Sequence, residues 1–275
     1  MNTDNLLLTY TLGLADNALI IGHRLSEWCG HGPILEQDIA VTNTALDHLG
    51  QARSLYQYAA EQVNGLPVEA KQTLFSSEAL QANIVGGNAI DEDDLAYLRD
   101  AWDFKNALLT EQPNKDWAYT VARSLYFDVF QYFLFNELQK SKDVTLAAIA
   151  EKSLKETIYH KRWSSEWVIR LGDGTEESHM RMQNAINDLW PYTGELFKMS
   201  KAETAMLAMN VGIDLESIKV LWQKEIGDVL EQATLSLPAQ GWMHEGGKNG
   251  IHSEHLVYLL AELQFMQRAY PNHEW

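Results

Sequence analysis

Helix-breaking residues are scarce in this sequence, and this scarcity limits the folds open to it more than any other feature. The 275 residues include only six prolines and 17 glycines. Between these breaks, apolar residues recur at spacings of three and four, which places them along one face of an α-helix. Alternating runs of β-branched residues, which are typical of strands, are missing. The sequence therefore predicts an all-α protein.

The breaks divide the predicted helices into two antiparallel hairpins. The first hairpin covers about residues 4–63 and turns at the Cys-Gly-His-Gly-Pro segment 29–33. The second covers about 116–171 and turns at 141–143. About residues 65–115 form a long crossover between them. Two hairpins joined by one long connection are the topology of a ferritin-like four-helix bundle.

Additional helices are predicted after the bundle, over about residues 176–268. Their predicted ranges are 176–197, 215–235 and 253–268, and a glycine-rich loop at 238–250 precedes the last one. No low-complexity linker interrupts the sequence. Residues 1–275 are therefore expected to form a single domain.

Charge and cysteine content restrict the partners and the compartment. The formal net charge of −17 disfavours nucleic acid and anionic membranes as partners, because like charges repel. Cys29 is the single cysteine, so no intrachain disulfide can form and a reducing compartment is expected. The first residues lack the basic segment and the cleavage site of a signal peptide, and no uninterrupted apolar run approaches the length of a membrane span. We expect a cytoplasmic protein that binds neither nucleic acid nor membrane.

Acidic residues are placed symmetrically in the two hairpins. Residues equally far from a hairpin turn lie opposite each other, and Asp16 pairs in this way with Asp47, as Asp128 does with Glu156. A ferritin-like di-iron site takes one carboxylate from each of two helices and a Glu-x-x-His pair from each of the other two. These four acids match its carboxylates, although chance pairing among 38 acidic residues would give the same spacing.

The histidines of such a site are not at their expected positions. Gly50 and Tyr159 stand three residues after the second acid of each hairpin, His48 comes too early and is predicted to point elsewhere, and His160 is one step late. We therefore predict no redox-active di-iron centre and no metal ligand in this chain, with a weak mononuclear metal site as the alternative. The predicted vestigial di-iron positions are Asp16, Asp47, Gly50, Asp128, Glu156 and Tyr159, with His48 and His160 nearby. The side chains expected to bind these acids instead include Asn43, Gln51 and Gln131.

A second candidate site lies in the glycine-rich loop and the helix that follows it. Lys248 and the free amides of a helix start could hold a phosphate of coenzyme A, and His252 and His255 have the spacing of a metal-binding pair. The sequence favours simpler roles, because no strand and no Walker pattern precede the helix and Ser253 is a good helix cap. We expect a turn or a partner contact here, with a coenzyme A contact as the alternative.

Six segments spread over nearly the whole chain form a distinctive set. They are LSEWCGH at 25–31, LDHLGQAR at 46–53, KETIYH at 155–160, LGDGT at 171–175, AINDLW at 185–190 and GGKNGIHSEHL at 246–256. Together these segments resemble the structural-subunit family of the multicomponent phenylacetyl-CoA epoxidase. The resemblance implies a ferritin-like subunit with no metal and no catalytic or cofactor-binding residue of its own. It implies as partners a homologous iron-bearing catalytic subunit and further epoxidase subunits, including a reductase.

The implied complex uses a di-iron centre in that partner, O2, and electrons from NADPH through the reductase to epoxidise the aromatic ring of phenylacetyl-CoA in phenylacetate catabolism. This chain would scaffold the iron-bearing subunit, and a homo-oligomer is the alternative when that partner is absent. Two other hypotheses stay open. The chain could be an oxidase in its own right with atypical ligands, or a helical binding protein unrelated to oxygen chemistry.

Overall fold

The structure, a computed structural model, describes the backbone of residues 3–270 and the side chains of residues 5–270. All regular secondary structure in this range is helical. The helices are α1 (Thr3–Ser26), α2 (Leu35–Asn64), α3 (Val68–Gln72), α4 (Glu78–Val85), α5 (Glu92–Tyr97), α6 (Trp117–Leu138), α7 (Val144–Gly172), α8 (Glu176–Leu189), α9 (Gly194–Phe197), α10 (Lys201–Ala208), α11 (Leu215–Gln232), α12 (Glu254–Leu263) and α13 (Phe265–Ala269). Single 3₁₀ turns occur at Ala101–Asp103, Trp190–Tyr192 and Gly247–Asn249.

Four long helices, α1, α2, α6 and α7, form a bundle of two hairpins. α1 packs against α2, α6 packs against α7, and α2 joins the two hairpins by packing on α7. The crossover carries α3, α4 and α5, of which α5 lies against α2. The predicted all-α bundle of two hairpins joined by a long crossover is confirmed by these helices and their contacts.

α6 is the central helix of the molecule. Helices α7, α8 and α11 all pack against it, and 17 of its 22 residues are buried. A helix that is apolar all round is stable only when its whole circumference is covered. The C-terminal helices therefore complete the core of the bundle.

Two of the predicted C-terminal helices are interrupted. The predicted helix at 176–197 is divided into α8 and α9 by a turn that contains Pro191, because proline has no N–H to continue the helical ladder. The predicted helix at 253–268 is divided at Gln264, whose side-chain amide donates to the carbonyls of Ala96 and Arg99 in the crossover. The prediction of a single helix is wrong in both places.

α1 is apolar because it is a core helix. Residues Asn5–Ser26 are long and apolar enough to cross a membrane by length and composition alone, but most of them are buried inside the protein. The helix also carries Asp16 and Arg24, which are both buried and hydrogen-bonded. Packing against α2 and α10 therefore accounts for its composition.

Tryptophans tie three helices together at one end of the bundle. The ring of Trp117, at the start of α6, makes edge-to-face contacts with Trp28, Trp163 and Trp167 at centroid distances of 5.2, 5.9 and 5.6 Å. Trp163 and Trp167 of α7 both donate their indole N–H to the side-chain oxygen of Gln37 on α2. These aromatic rings therefore fix α7 against both α2 and α6.

Candidate functional site

Three polar side chains from three helices meet in the interior of the bundle. His48 of α2, Asp128 of α6 and His160 of α7 are each no more than 1% exposed, and their ligand atoms all lie within 4.8 Å of one another. The two imidazole rings are 4.9 Å apart between centroids. Among the described side chains, no other cluster of at least three His, Cys, Asp or Glu residues could hold a metal ion. This cluster is the candidate site.

The inward face of α7 differs by one residue from the predicted one. Its buried polar positions are Ser153, Thr157, His160 and Ser164. They follow the spacing of three and four that defines one helix face. Tyr159, in contrast, is 41% exposed. The prediction that Tyr159 occupies the inward ligand position is wrong, because His160 occupies it.

The inward face of α2 also places a histidine in the interior. His48 is fully buried, and Ala45, three positions before it on the same face, is buried as well. A Cβ added to Gly50 would meet no atom within 4 Å, so Gly50 lies outside the packed interior. The predictions that His48 points elsewhere and that Gly50 marks a ligand position are therefore wrong.

The first hairpin pairs its residues differently from the symmetric prediction. A Cβ added to Gly22 of α1 would be 3.2 Å from Cβ of His48 and 3.3 Å from the carbonyl oxygen of Ala45. The pairing is displaced because the connection between α1 and α2 makes several turns before α2 begins. The prediction that Asp16 lies opposite Asp47 is therefore wrong.

Asp16 belongs to a separate, paired cluster. Its carboxylate forms an ion pair with Arg99 in which both side chains are 0% exposed. It also accepts hydrogen bonds from the Tyr56 hydroxyl at 2.6 Å and the Lys105 backbone N–H at 2.7 Å. Although burial opposes the charged form, Asp16 and Tyr56 raise the pKa of Arg99. Asp16 is therefore a structural residue, and no sequence pattern marks Arg99, which lies in the irregular crossover.

Two hydrogen bonds join α2 to α7 beside the site. Nε2 of His160 lies 2.9 Å from the carboxylate of Asp47, and the amide of Gln51 donates to Glu156 at 3.0 Å. Both acids are only partly buried, and Asn43, which was expected to bind an acid, is exposed. The two acids lie at the edge of the interior, where each holds a polar side chain of the facing helix.

Burial shifts the protonation of two members of the site. It lowers the pKa of His48 well below the usual value, and the nearby His160 adds to this effect. Burial raises the pKa of Asp128 to about 6, against the opposing influence of His160 and Ser164. At neutral pH the site thus combines an uncharged imidazole with a carboxylate close to its own pKa, and perturbed groups of this kind are typical of functional sites.

The residues present do not fit a di-iron centre. Such a centre needs a carboxylate three residues before each histidine, and Ala45 and Thr157 occupy those positions. The hydroxyl of Thr157 donates to the carbonyl of Ser153 in its own helix at 2.9 Å. On α1, the residue that faces His48 is Gly22, where even an added Cβ would be crowded. None of these three positions carries a carboxylate that could bridge two irons.

Sequence comparisons with known proteins identify the family of this chain. The sequence profile of the family described as "Phenylacetic acid catabolic protein" matches residues 1–275. The chain is 41% identical over 271 residues to one of the subunits of the 1,2-phenylacetyl-CoA epoxidase of Escherichia coli (strain K12), with 98% of this chain and 100% of that protein covered. This chain belongs to the phenylacetic acid catabolic protein family.

A solved structure similar to this chain is "Protein 19 with aldehyde deformylating oxidase activity" from Synechococcus. The two are 11% identical, the match covers 86% of this chain and 95% of the other, and the TM-score is 0.47. A likeness of this degree says nothing about activity.

Internal contacts occupy the second predicted site, in the glycine-rich loop. The ammonium of Lys248 donates to the carbonyl oxygens of Leu196 and Lys198 at 3.2 and 3.1 Å and to the carboxylate of Glu203 at 2.8 Å. An ammonium has three donors, and all three are used. The contacts therefore give no support to a coenzyme A phosphate at Lys248.

His252 and His255 do not form a metal-binding pair. Nε2 of His252 lies 3.0 Å from the carbonyl oxygen of Phe104, and its Nδ1 lies 3.3 Å from the carboxylate of Glu111. These contacts hold the ring against the crossover. Ser253 stands at the N-cap of α12 as predicted, but its hydroxyl makes no capping bond, and its backbone N–H donates to Glu111 instead.

Proposed function

We propose that this chain is a structural subunit of a cytoplasmic, multicomponent phenylacetyl-CoA epoxidase and has no catalytic activity of its own. Its 41% identical relative is named as one subunit of that enzyme. In this proposal a homologous subunit holds the di-iron centre, and a reductase passes electrons from NADPH to it for the reaction of O2 with the aromatic ring. This chain holds the iron-bearing subunit in place.

The observation that carries the proposal is the absence of the carboxylates that would bridge two irons. Ala45 and Thr157 stand where each Glu-x-x-His motif needs its acid, and Gly22 faces the site from α1. A pair of irons in this chain would lack bridging ligands, so oxygen activation by two irons is assigned to another subunit. What the chain keeps is the packed bundle, which suits a scaffold.

An exposed apolar surface on α2 and α7 supports a protein partner. Leu35, Ile39 and Leu46 of α2 are 72%, 51% and 59% exposed, and their spacing places them on one helix face. Ile158 and Tyr159 of α7 are 51% and 41% exposed. They are at the same level along the bundle as Leu46, because His160 of α7 is hydrogen-bonded to Asp47 of α2. Exposed apolar patches of this kind mark interaction sites, and we call these five residues the α2/α7 face.

Hydrogen bonds between α2 and α7 hold the α2/α7 face in a fixed conformation. Gln37 accepts hydrogen bonds from two indole N–H groups of α7, and Gln51 of α2 donates to Glu156 of α7. These bonds fix the spacing of the two helices. A preorganised surface loses less conformational entropy on association, so the arrangement favours stable docking of the iron-bearing subunit.

Co-expression of the full chain with the homologous iron-bearing subunit tests the proposal. We expect the two to co-purify and, with the reductase, NADPH and O2, to epoxidise phenylacetyl-CoA. The double variant Leu46→Asp/Ile158→Asp should abolish co-purification, because two charges would be buried without partners in the interface. Val220→Asp on α11 is the matched control, since Val220 is 64% exposed but lies outside the α2/α7 face.

Two results would overturn the proposal. The isolated chain, grown in iron-rich medium, could hold two irons and reduce O2, in which case it is an oxidase in its own right. Alternatively, the chain could fail to associate with the iron-bearing subunit under any condition that preserves both folds. It would then be a helical binding protein outside the epoxidase.

A further inference from the structure

We propose that His48, Asp128 and His160 bind one divalent transition-metal cation that joins α2, α6 and α7. This inference goes beyond the scaffold role and does not depend on it. It also revises the sequence-based prediction that the chain has no metal ligand. That prediction rested on the apparent absence of inward histidines, and both histidines lie in the interior.

The donor atoms of the site lack partners within the protein. Neither ring nitrogen of His48 has a hydrogen bond of normal geometry, although the side chain of Gln51 lies close enough to interact with the ring. Nδ1 of His160 and Oδ2 of Asp128 also have no hydrogen bond. All of these atoms are buried. Buried polar atoms are nearly always bonded, and those that are not call for an ion or a water. One cation would satisfy a nitrogen from each imidazole and the carboxylate oxygen together.

The separation of the donor atoms suits a single cation. A tetrahedral site with metal–nitrogen distances of about 2.0–2.1 Å places its ligand atoms about 3.4 Å apart. The donor atoms of His48, Asp128 and His160 lie within 4.8 Å of one another, so each pair has to approach by at most about 1.4 Å to reach that distance. A second cation has no ligands, because Ala45 and Thr157 stand at the positions of the missing carboxylates.

Asp47 prepares His160 for this role. Its carboxylate lies 2.9 Å from Nε2 of the imidazole, and an ionised carboxylate only accepts hydrogen bonds. Nε2 therefore carries the hydrogen, and the buried Nδ1, which has no hydrogen bond, keeps its lone pair. Metal-binding histidines almost always donate their other N–H to such a carboxylate or carbonyl. The half-exposed Asp47 is thus a positioning residue rather than a ligand.

The donor set identifies the class of cation. Two imidazoles and one carboxylate are typical of zinc, cobalt(II) and non-haem iron(II), whereas magnesium and calcium prefer oxygen ligands. The three ligands belong to three different helices, so the cation acts as a cross-link within the bundle. Because all three side chains are fully buried, we expect the cation to enter during folding and to exchange slowly afterwards.

Refolding of the full chain with Co²⁺ tests the proposal directly. The protein is unfolded in urea with a chelator, freed of metal, and refolded with and without Co²⁺ or Zn²⁺. We expect one cobalt per chain by elemental analysis, a visible absorption band from cobalt bound to nitrogen and oxygen, and displacement of the cobalt by Zn²⁺. The melting temperature should rise in the presence of either cation.

Variants locate the cation. Asp128→Asn and His160→Gln, which keep side-chain shape, should each weaken Co²⁺ binding at least 100-fold, and Asp47→Asn should weaken it about 10- to 100-fold. The matched control is His31→Gln, because His31 is exposed and outside the cluster, and it should bind Co²⁺ like the unmodified chain.

Three outcomes would overturn the proposal. They are refolded protein that binds no Co²⁺, binding that survives in the Asp128→Asn/His160→Gln double variant, and loss of binding in His31→Gln. If a variant fails to refold, X-ray absorption of the zinc-loaded unmodified chain decides the question. It should report two imidazole ligands per zinc, and fewer would contradict the assignment.

Discussion

Two buried polar clusters in this bundle differ in how their polar atoms are paired. In one, both carboxylate oxygens of Asp16 have partners, which Arg99, Tyr56 and a backbone N–H supply. In the other, His48 and the Oδ2 atom of Asp128 have none within the protein. All of these side chains are no more than 1% exposed, so burial does not distinguish the clusters.

The difference separates a structural charge from a candidate site. A buried ion pair with all its hydrogen bonds made leaves nothing for a ligand to do, and removal of one partner exposes the other to an apolar interior. A buried polar group without partners already destabilises the ligand-free protein, because its lost hydrogen bonds to water are not replaced. Substitution should therefore change the stability of the metal-free protein in opposite directions in the two clusters.

The largest effect is expected from removal of the positive member of the paired cluster. Arg99→Met leaves the carboxylate of Asp16 buried without its counter-charge, and we expect the free energy of unfolding to fall by about 3–5 kcal/mol. Urea titration followed by circular dichroism measures the change.

The control for this substitution removes both charges. The double variant Asp16→Asn/Arg99→Met should recover at least half of the lost free energy of unfolding, because no unpaired charge remains. A loss below about 1 kcal/mol in Arg99→Met would mean that the pair does not stabilise the fold.

In the unpaired cluster, substitution is expected to raise the free energy of unfolding rather than lower it. In chelator, His48→Leu should raise the free energy of unfolding by about 1–2 kcal/mol, because an apolar side chain replaces two buried nitrogens that have no hydrogen bonds. With Zn²⁺ present the order should reverse, since only the unmodified chain gains the binding energy of the cation. Chemical unfolding with and without Zn²⁺ measures both differences.

His252→Leu is the matched control for the substitution of His48. This imidazole is also buried, but its Nε2 contacts the carbonyl oxygen of Phe104. Its loss should lower the free energy of unfolding by about 1 kcal/mol and should not respond to Zn²⁺. Equal signs for the two histidine substitutions in chelator would contradict the distinction between the clusters.

A smaller effect on stability is expected from His23 of α1, an imidazole that is largely buried without a charged partner. Burial lowers the pKa of this imidazole to about 4, so the folded state favours its neutral form. The stability that this provides is complete above the unfolded pKa of about 6.5 and is lost as the pH falls towards 4. Between pH 7 and pH 4.5, the unmodified chain should lose about 1 kcal/mol more than His23→Gln, after discounting for partial exposure. Parallel pH profiles of the two proteins would refute the assignment.

Much of the fold could be predicted because its signals are local. The spacing of apolar residues defines α2 and α6, and glycine-rich or polar breaks mark the hairpin turns. The opposition of α1 and α2 could not be predicted in the same way. It depends on the conformation of the turn that connects the two helices. The prediction assumed a symmetric turn, and Asp16 was therefore placed opposite the wrong residue of α2.

Three of the four helices that were expected to carry the candidate site do so, and Asp128 of α6 lies in the cluster, but the expected positions on α2 and α7 are out of register. The position of Glu156 opposite Asp128 predicted an inward carboxylate on α7. The inward face of α7 is instead a row of small and polar residues that includes Ser153, Thr157 and His160. The spacing of that stripe was a usable signal. Arg99 carried none, because its contact with Asp16 joins segments that are far apart in sequence and that no periodic pattern relates.

The smallest effect tests that register directly. Glu156 is half-buried and bonded to Gln51, so Glu156→Gln, which retains the shape and one acceptor oxygen, should change the free energy of unfolding by less than about 0.5 kcal/mol. If Thr157 and His160 face the interior, Co²⁺ affinity should stay within about threefold of the unmodified chain, because Glu156 contributes no ligand atom.

The contrary result would support the register predicted from the sequence, in which Glu156 and Tyr159 face the cation. Co²⁺ affinity would then fall by a factor of about 10 or more, as for loss of a ligand or its support. Comparison of Glu156→Gln with Asp47→Asn in one titration series separates the two registers, since both acids lie at the same edge of the bundle and only Asp47 holds a histidine of the site.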